Sequence, residues 1–584
     1  MHPDSSNDTG ISFLIGGEAG QGITRSGSLL GKAFVRGGFH IFGMNDYPSI
    51  IRGGHNFYVL RVSSLEINSH ADKVDLIIAL NKETALLHAH ELSPGGRIIH
   101  DSGIEFEERE LDRDDIELYP LPMTEIVKEI GGVSIMRNTV GLGAATAMVE
   151  FDIDHLKGVI SDAFAGREKI IESNHKAIDM GYNYAEINFE KFSTLKPEGA
   201  SGDRIMLTGN DAVALGAIQA GCKFFAAYPM TPASPVLHYL ISKELETGMV
   251  VIQAESEIAA INMTVGAAYA GARSMTATSG GGFCLMTEGF GLAGATETPI
   301  VVMLGQRPGP STGMATYTGQ GDLLFALNAS QGEFPRVVVA PGDVEECFYC
   351  TIEAFNLAEK YQVPAIILND KYIIESHKST PTFNIGSVGV DRGELLEAEE
   401  WMEEGEYKRF EITETGVSPR IILGTRGATM LANGNEHNEY GYTTIDPVRV
   451  VEMADKRFRK KNYLAKEVSG LHPVKIYGTD DPEVTLVGWG STKGPALEAL
   501  KLLERDGVRA RFVQIVYMEP FPADPLKDAL GTGKRVLLET NVTGLLGRLI
   551  MEKTCLDFNR VHLKYNGRPF NPGEIASVVK EVLQ

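Results

Sequence analysis

Cysteine is scarce in this chain, long apolar runs are missing, and basic residues are few beside the acidic ones. Each gap removes a class of protein. The 584 residues hold five cysteines, Cys222, Cys284, Cys347, Cys350 and Cys555. They are too few and too scattered for a disulfide framework, which points to a reducing, cytoplasmic setting. Cys347 and Cys350 form a lone C-x-x-C inside a helical pattern from Val344 to Lys360. One pair cannot supply the full set of thiolates that an iron–sulfur cluster needs, so the i,i+3 spacing reads as two neighbours on one helix face. Runs such as Pro299 to Gly305 are far shorter than a membrane span. The polar start, Met1 to Gly10, lacks the charged and apolar regions of a signal peptide. Lys and Arg total 54 against 77 Asp and Glu, a formal net charge of −23. Binding nucleic acid requires clustered cations to neutralise phosphates, so no such surface is expected. The acidity reads as an aid to solubility.

What is present is an ordinary soluble composition, 43% hydrophobic and 22% charged, in a chain long enough for several domains. Ile11 to Ile15 reads as a short buried strand, followed by the glycine-rich turn Gly16 to Gly22 and a helix from Thr24 to Arg36. Leu76 to Leu80 and Gly96 to His100 read as further strands of a parallel sheet. His88 and His90, the one tight histidine pair, fall in a helical surface segment and read as solvated. A first domain ends near Thr194-Leu195-Lys196-Pro197-Glu198-Gly199, where Pro and Gly mark a boundary. A second starts at Arg204 to Thr208 and alternates strand and helix as far as Leu368, the pattern of a doubly wound sheet. Beyond Asn384 the pattern lapses. Asp391 to Glu406 holds eight acidic residues around Trp401 and reads as a solvated connector with a partly helical face. A third domain begins near Pro473 with the strand Val484 to Gly488.

The segment Tyr228-Pro229-Met230-Thr231-Pro232-Ala233-Ser234 follows the apolar run Lys223 to Ala227 and precedes a helix from Val236 to Leu245. Its prolines stiffen the loop and disfavour helix at the residues before them. Thr231 therefore projects a hydroxyl from a rigid turn at a strand end, where α/β sheets place ligand groups. Downstream come Gln253-Ala254-Glu255-Ser256-Glu257, Thr278-Ser279-Gly280-Gly281-Gly282 and Gln306-Arg307-Pro308-Gly309-Pro310-Ser311-Thr312-Gly313. In this order the segments resemble the α chain of the 2-oxoacid:ferredoxin oxidoreductases. Gly16 to Gly22 and Arg52-Gly53-Gly54 are similar to the γ component of the same family. The resemblance covers nearly the whole chain as a γ–α fusion and is weakest from about Gly386 to Leu471.

It implies three α/β domains: a γ-type domain over 10–195 after a polar tail 1–9, a thiamine-diphosphate pyrimidine-binding domain over 196–385, and a transketolase C-terminal-like domain over 471–584. The acidic connector region occupies 386–470. Glu257 is the candidate carboxylate facing the aminopyrimidine of thiamine diphosphate, with Glu255 as competitor and helix capping as the plain alternative for either. Pro229, Thr231 and Ser279 are expected around the cofactor. Arg307 is the candidate clamp for the substrate carboxylate, because a guanidinium grips a carboxylate in bidentate fashion. Thr231 is the second substrate contact. Ser311-Thr312-Gly313 and Gln320-Gly321-Asp322 read as support for the loop, with no chemistry assigned. The turn bearing Gly17, Gly20, Gln21 and Gly22 either presents N–H groups to a phosphate, coenzyme A by resemblance, or is a tight strand-to-helix turn.

The chain lacks the Gly-Asp-Gly with a later asparagine that holds a metal and diphosphate in the wider thiamine-enzyme group. By resemblance that site, with Mg2+ and a [4Fe-4S] cluster, lies on a separate β subunit. The resemblance thus implies an (αβ)2 enzyme that decarboxylates a 2-oxoacid, passes electrons to ferredoxin and forms a coenzyme A thioester; 2-oxoglutarate is the first choice and pyruvate or another 2-oxoacid the alternative. A nicotinamide-dependent oxidoreductase lacks support from G-x-G-x-x-G spacing and leaves Thr231, Glu257 and Arg307 unexplained. A non-catalytic scaffold is the remaining alternative.

Overall fold

The apolar strand segments assemble into α/β sheets. The computed structural model describes residues 10–49, 53–107, 110–192, 195–197, 203–386, 388–396, 401 and 406–584. The polar tail 1–9, Arg52, half of the first domain boundary and half of the acidic run lie outside them. The chain divides into two compact units.

The first unit is built on an eight-stranded sheet. Its central strand, Ile11–Glu18, is buried along nearly its whole length, as a continuous apolar run requires. One neighbour, Val74–Ala79, runs parallel and continues the parallel series through Leu92–Asp101 to Glu117–Leu121. On the other side His55–Ser63 and then His40–Asp46 run antiparallel, so the sheet is mixed where a parallel one was expected. Arg204–Thr208 also departs from the sequence reading. It pairs with His377–Pro381 and closes this first sheet instead of opening the second. Local patterning does not specify which sheet edge a strand joins. Helices Ile23–Arg36, Arg137–Met148 and Glu168–Asn188 supply apolar residues to the core of this unit. His88 is buried, not solvated: its Nε2 lies 2.8 Å from Nε2 of His55, and its Nδ1 3.1 Å from Glu91. His90 is exposed as expected.

The second unit carries a seven-stranded sheet in the order Tyr517–Glu519, Val337–Val339, Ala365–Asp370, Val301–Gln306, Ser274–Ser279, Phe224–Ala227, Val250–Gln253. All pairs are parallel except the first. Tyr517–Glu519 comes from the third expected domain, whose own five-stranded sheet centres on Val484–Gly488. Lys493 donates to Asp343 at 2.6 Å and to Glu346 at 2.7 Å, and Gln514 to Glu346 at 2.6 Å. The second and third expected domains therefore pack as one unit.

The connector is more structured than its sequence suggested. Pro447–Ser469 is a long helix capped by the Asp446 side chain. It turns Lys456 and Lys460, one turn apart, into the interior, where both pair with the buried carboxylate of Glu297. Arg273, Arg392 and Arg420 likewise converge on Glu359. Cys347 and Cys350 lie on one buried stretch of helix Val344–Tyr361. Burial pushes both thiols well above their ordinary pKa.

Candidate functional site

In a doubly wound sheet, the crevice lies at the carboxyl ends of the strands, where the strand order reverses. Here the chain passes from Phe224–Ala227 outward to Val250–Gln253, then returns to the other side with Ser274–Ser279 and Val301–Gln306. The loops leaving these adjoining strands carry Thr231, Glu257, Ser279 and Arg307. The structure thus places the predicted residues along one sheet edge.

Glu257 opens helix Glu257–Tyr269, and the cap of that helix is Ser256, whose hydroxyl accepts from the Ala259 N–H at 3.2 Å. Neither glutamate is needed as a cap. Glu255 is exposed, whereas Glu257 is 4% exposed and its Oε1 has no hydrogen-bond partner. A buried carboxylate oxygen without a partner is costly, so this atom marks where a ligand donor belongs. Gly282 makes room beside it: a Cβ there would lie 2.1 Å from Thr278 Oγ1 and 2.8 Å from Glu257 Oε1.

The Ser279 hydroxyl is also buried and unpartnered at the head of helix Gly280–Ala295. Pro229 and Thr231 are half-buried in the proline loop, which is pinned by the Asn210 amide donating to the Pro232 carbonyl at 3.1 Å. Arg307 Nη1 donates to the Thr231 carbonyl at 2.8 Å. Burial lowers the Arg307 pKa and the charge of Asp322 opposes that shift. No carboxylate among the described residues stands within ion-pair distance of this guanidinium, which leaves most of its N–H groups open to an anion.

Asp322, given no chemistry in the sequence reading, belongs to the same site. Its Oδ2 is buried without a partner, and its N–H donates to Gln306 Oε1 at 3.0 Å. Burial pushes its carboxyl up to about 6 against the pull of Arg307. Asp322 also lines a cavity of about 370 Å³ with Pro308, Pro310, Thr540 and Asn541. The Asp322 signal is spatial: nothing in Gln320-Gly321-Asp322 announces burial.

The donor set fits thiamine diphosphate's pyrimidine half: an unpartnered buried carboxylate, a small-residue cradle and two hydroxyls. Among the described residues no group of three or more His, Cys, Asp or Glu side chains is placed to hold a metal.

In the first unit Gly17 is the next-to-last residue of strand Ile11–Glu18, and Gly20 and Gly22 adopt positive φ before helix Ile23–Arg36. Gln21 closes the turn by accepting from the Glu18 N–H at 3.0 Å, and its carbonyl accepts from Asn138 at 2.5 Å. Gly22 borders a largely apolar cavity of about 480 Å³ with Arg25, Leu29, Asn138 and Phe164. No helix among the described residues is long and apolar enough to cross a membrane.

Known proteins match this chain along nearly its whole length. The family described as pyruvate ferredoxin/flavodoxin oxidoreductase matches residues 12–184, its thiamine-diphosphate-binding family residues 215–456, and the transketolase C-terminal domain residues 475–552. The α subunit of 2-oxoacid:ferredoxin oxidoreductase 2 from Aeropyrum pernix is 36% identical over 98% of both chains. The 2-oxoglutarate synthase subunit KorA of Methanothermobacter thermautotrophicus is 32% identical over 98% of its own length but only 65% of this chain. A solved structure of 2-oxoglutarate:ferredoxin oxidoreductase from Magnetococcus marinus, with 2-oxoglutarate, coenzyme A and succinyl-CoA bound, superposes with a TM-score of 0.91. It is 33% identical over 99% of this chain and all of that one.

Proposed function

Because the chain belongs to the family of 2-oxoacid:ferredoxin oxidoreductase α subunits, we propose that it is a γ–α fusion converting 2-oxoglutarate to succinyl-CoA. It does so in the cytoplasm with a separate β subunit in an (αβ)2 enzyme, and ferredoxin takes the electrons. The observation that carries this reading is the buried, unpartnered Oε1 of Glu257 beside the Gly282 cradle. The bound 2-oxoglutarate in the Magnetococcus relative supports the substrate choice. Pyruvate is the runner-up, since both oxidoreductase family descriptions name it.

Thiamine diphosphate, when bound, supplies the nucleophilic carbon and the electron sink for loss of CO2. This chain's residues position and protonate. With the cofactor bound, Glu257 Oε1 would share a proton with the aminopyrimidine ring, Pro229 and Ser279 would line the pocket for that ring, and Arg307 would hold the substrate carboxylate. The carbonyl of Thr231 fixes Arg307, which leaves the Thr231 hydroxyl to donate to a substrate oxygen. Gly17, Gly20, Gln21 and Gly22 form the turn assigned to a phosphate of coenzyme A. The diphosphate, Mg2+ and [4Fe-4S] cluster fall to the β subunit, a division supported by the missing Gly-Asp-Gly signature.

The test is kcat/KM for 2-oxoglutarate, pyruvate and a branched 2-oxoacid with the β subunit, coenzyme A and ferredoxin present. Preference for 2-oxoglutarate supports the assignment; preference for pyruvate moves the enzyme to the runner-up.

A further inference from the structure

Three side chains of the first unit form a relay that ends in an unused nitrogen. Glu91 Oε2 lies 3.1 Å from Nδ1 of His88, and Nε2 of His88 lies 2.8 Å from Nε2 of His55. His55 Nδ1 is buried and has no hydrogen-bond partner. Phe57 packs against both rings, its centroid 5.8 Å from that of His55 and 4.5 Å from that of His88. The proton positions follow from the partners. Burial alone would raise the Glu91 carboxyl, but His88 holds it below the ordinary range. An ionised carboxylate only accepts, so His88 Nδ1 carries the hydrogen. The neutral His88 ring then accepts at Nε2, and His55 donates from its own Nε2. Neutral His55 is left with a bare lone pair at Nδ1.

The relay ends beside the glycine turn. His55 opens strand His55–Ser63 and pairs with Glu18 of the central strand, and the Gly54 carbonyl accepts from the Ala19 N–H at 3.2 Å. A Cβ on Gly16 would lie 3.2 Å from His55 Cε1. Gly53 and Gly54, just before His55, are exposed and carry no side chain. A plain hydrogen-bond acceptor needs no carboxylate behind it. A carboxylate acting through a second imidazole favours the cation of the first, as an aspartate supports a catalytic imidazolium. We propose that His55 is the proton acceptor of the phosphate site at this turn: a phosphate of coenzyme A and a proton on His55 Nδ1 bind together, with His88 and Glu91 as positioning residues. The proton comes from solvent, Nδ1–H donates to a phosphate oxygen, and no bond of the coenzyme changes. This rests on the assignment of the turn to coenzyme A.

The sign follows from the surroundings of His55. Burial and then His88 lower its pKa, while Glu83, Asp46 and Glu91 pull the other way. Free His55 is therefore neutral at pH 7 and gains its proton with the anion. In the enzyme assembled with its β subunit, KM for coenzyme A should rise about 5- to 10-fold between roughly pH 6.5 and 8.5, the lower end for coupled sites. Calorimetric titration with coenzyme A, in buffers of different ionisation enthalpy, should show uptake of part of a proton near pH 7. His55→Gln should show none, and its pH profile should be flat. Glu91→Gln should reduce the uptake with an unchanged melting midpoint, which loss of a merely structural contact would not do. Dephospho-coenzyme A distinguishes the two phosphates: uptake that persists assigns His55 to the diphosphate, and uptake that disappears assigns it to the 3′-phosphate. No uptake with coenzyme A in the wild type, or the same uptake in His55→Gln, would overturn the proposal. Gly20→Ala tests the turn separately, because Gly20 has a φ of 91° with open space around it. Unchanged coenzyme A affinity there would remove the coenzyme from the turn itself, and the proposal with it.

Discussion

Arg307 reaches from the end of one strand to the loop of another and donates to the backbone carbonyl of Thr231 at 2.8 Å. Because the carbonyl is used, the Thr231 hydroxyl stays available and the rest of the guanidinium fork stays open. Arg307→Ala should lower kcat/KM for the 2-oxoacid by about 30- to 1000-fold. That is the scale of roughly 2–4 kcal/mol for a lost charge-assisted pair and a stranded carboxylate. Arg307→Lys should recover only part, since an ammonium keeps the charge and loses the fork. Steady-state kinetics with each substrate varied in turn checks this. A weakened coenzyme A response beside an unchanged 2-oxoacid response would move Arg307 to a different site.

Glu257 is buried and Glu255 exposed, which gives the pair opposite expectations. Glu257→Gln should keep the fold and assembly and cut turnover by roughly 10²-fold or more, as for loss of a positioned acid–base group. Glu255→Gln should stay within about twofold, as expected for a surface change. The reverse ranking in a turnover assay would exchange the two assignments.

Gly282→Ala adds one methyl group where Thr278 and Glu257 already stand. The displaced carboxylate should lose its alignment, so cofactor affinity should drop with little change in thermal midpoint. Thiamine diphosphate titration of the assembled enzyme, followed by intrinsic fluorescence, measures the first, and a melting curve the second. Wild-type affinity in the variant would contradict the cradle.

The Glu297 cluster should govern how firmly helix Pro447–Ser469 is held. Burial alone would raise the Glu297 carboxyl, but Lys456, Lys460 and Arg409 hold it well below the ordinary range. Burial likewise brings Lys456 down to about 7 against the pull of Glu297. Removing the carboxylate strands two buried ammonium groups, so Glu297→Gln should destabilise the chain by roughly 3–5 kcal/mol. A lysine with a depressed folded pKa disfavours the fold most when it is charged. The deficit should therefore narrow as pH rises from 7 to 9, because the unpaired lysines shed protons. Denaturant unfolding at several pH values tests this; a deficit that widens over that range would be inconsistent with it.

The placement of the candidate residues was legible because they sit next to strand ends that local patterning marks: Thr231 after Phe224–Ala227, Glu257 after Val250–Gln253, Arg307 after Val301–Gln306. Proline loops and Ser-Glu helix starts carry their geometry in a few neighbouring residues. Asp322 was not legible, since the burial of its carboxyl depends on Gly280 meeting it in space. Nor was the Glu297 cluster, whose partners Lys456 and Lys460 are 159 and 163 residues away in sequence. Arg204–Thr208 reads as a strand from its own residues, but its partner His377–Pro381 arrives after six of the second sheet's seven strands have been laid down.

The central claim is that this chain is one half of a thiamine-dependent enzyme, and co-purification with and without a β subunit tests it most directly. With the β subunit present, the complex should reduce ferredoxin when given a 2-oxoacid and coenzyme A. The chain alone should show no turnover and no visible absorption near about 400 nm, where thiolate-ligated clusters absorb. Turnover or a cluster chromophore from the purified chain by itself would contradict the account.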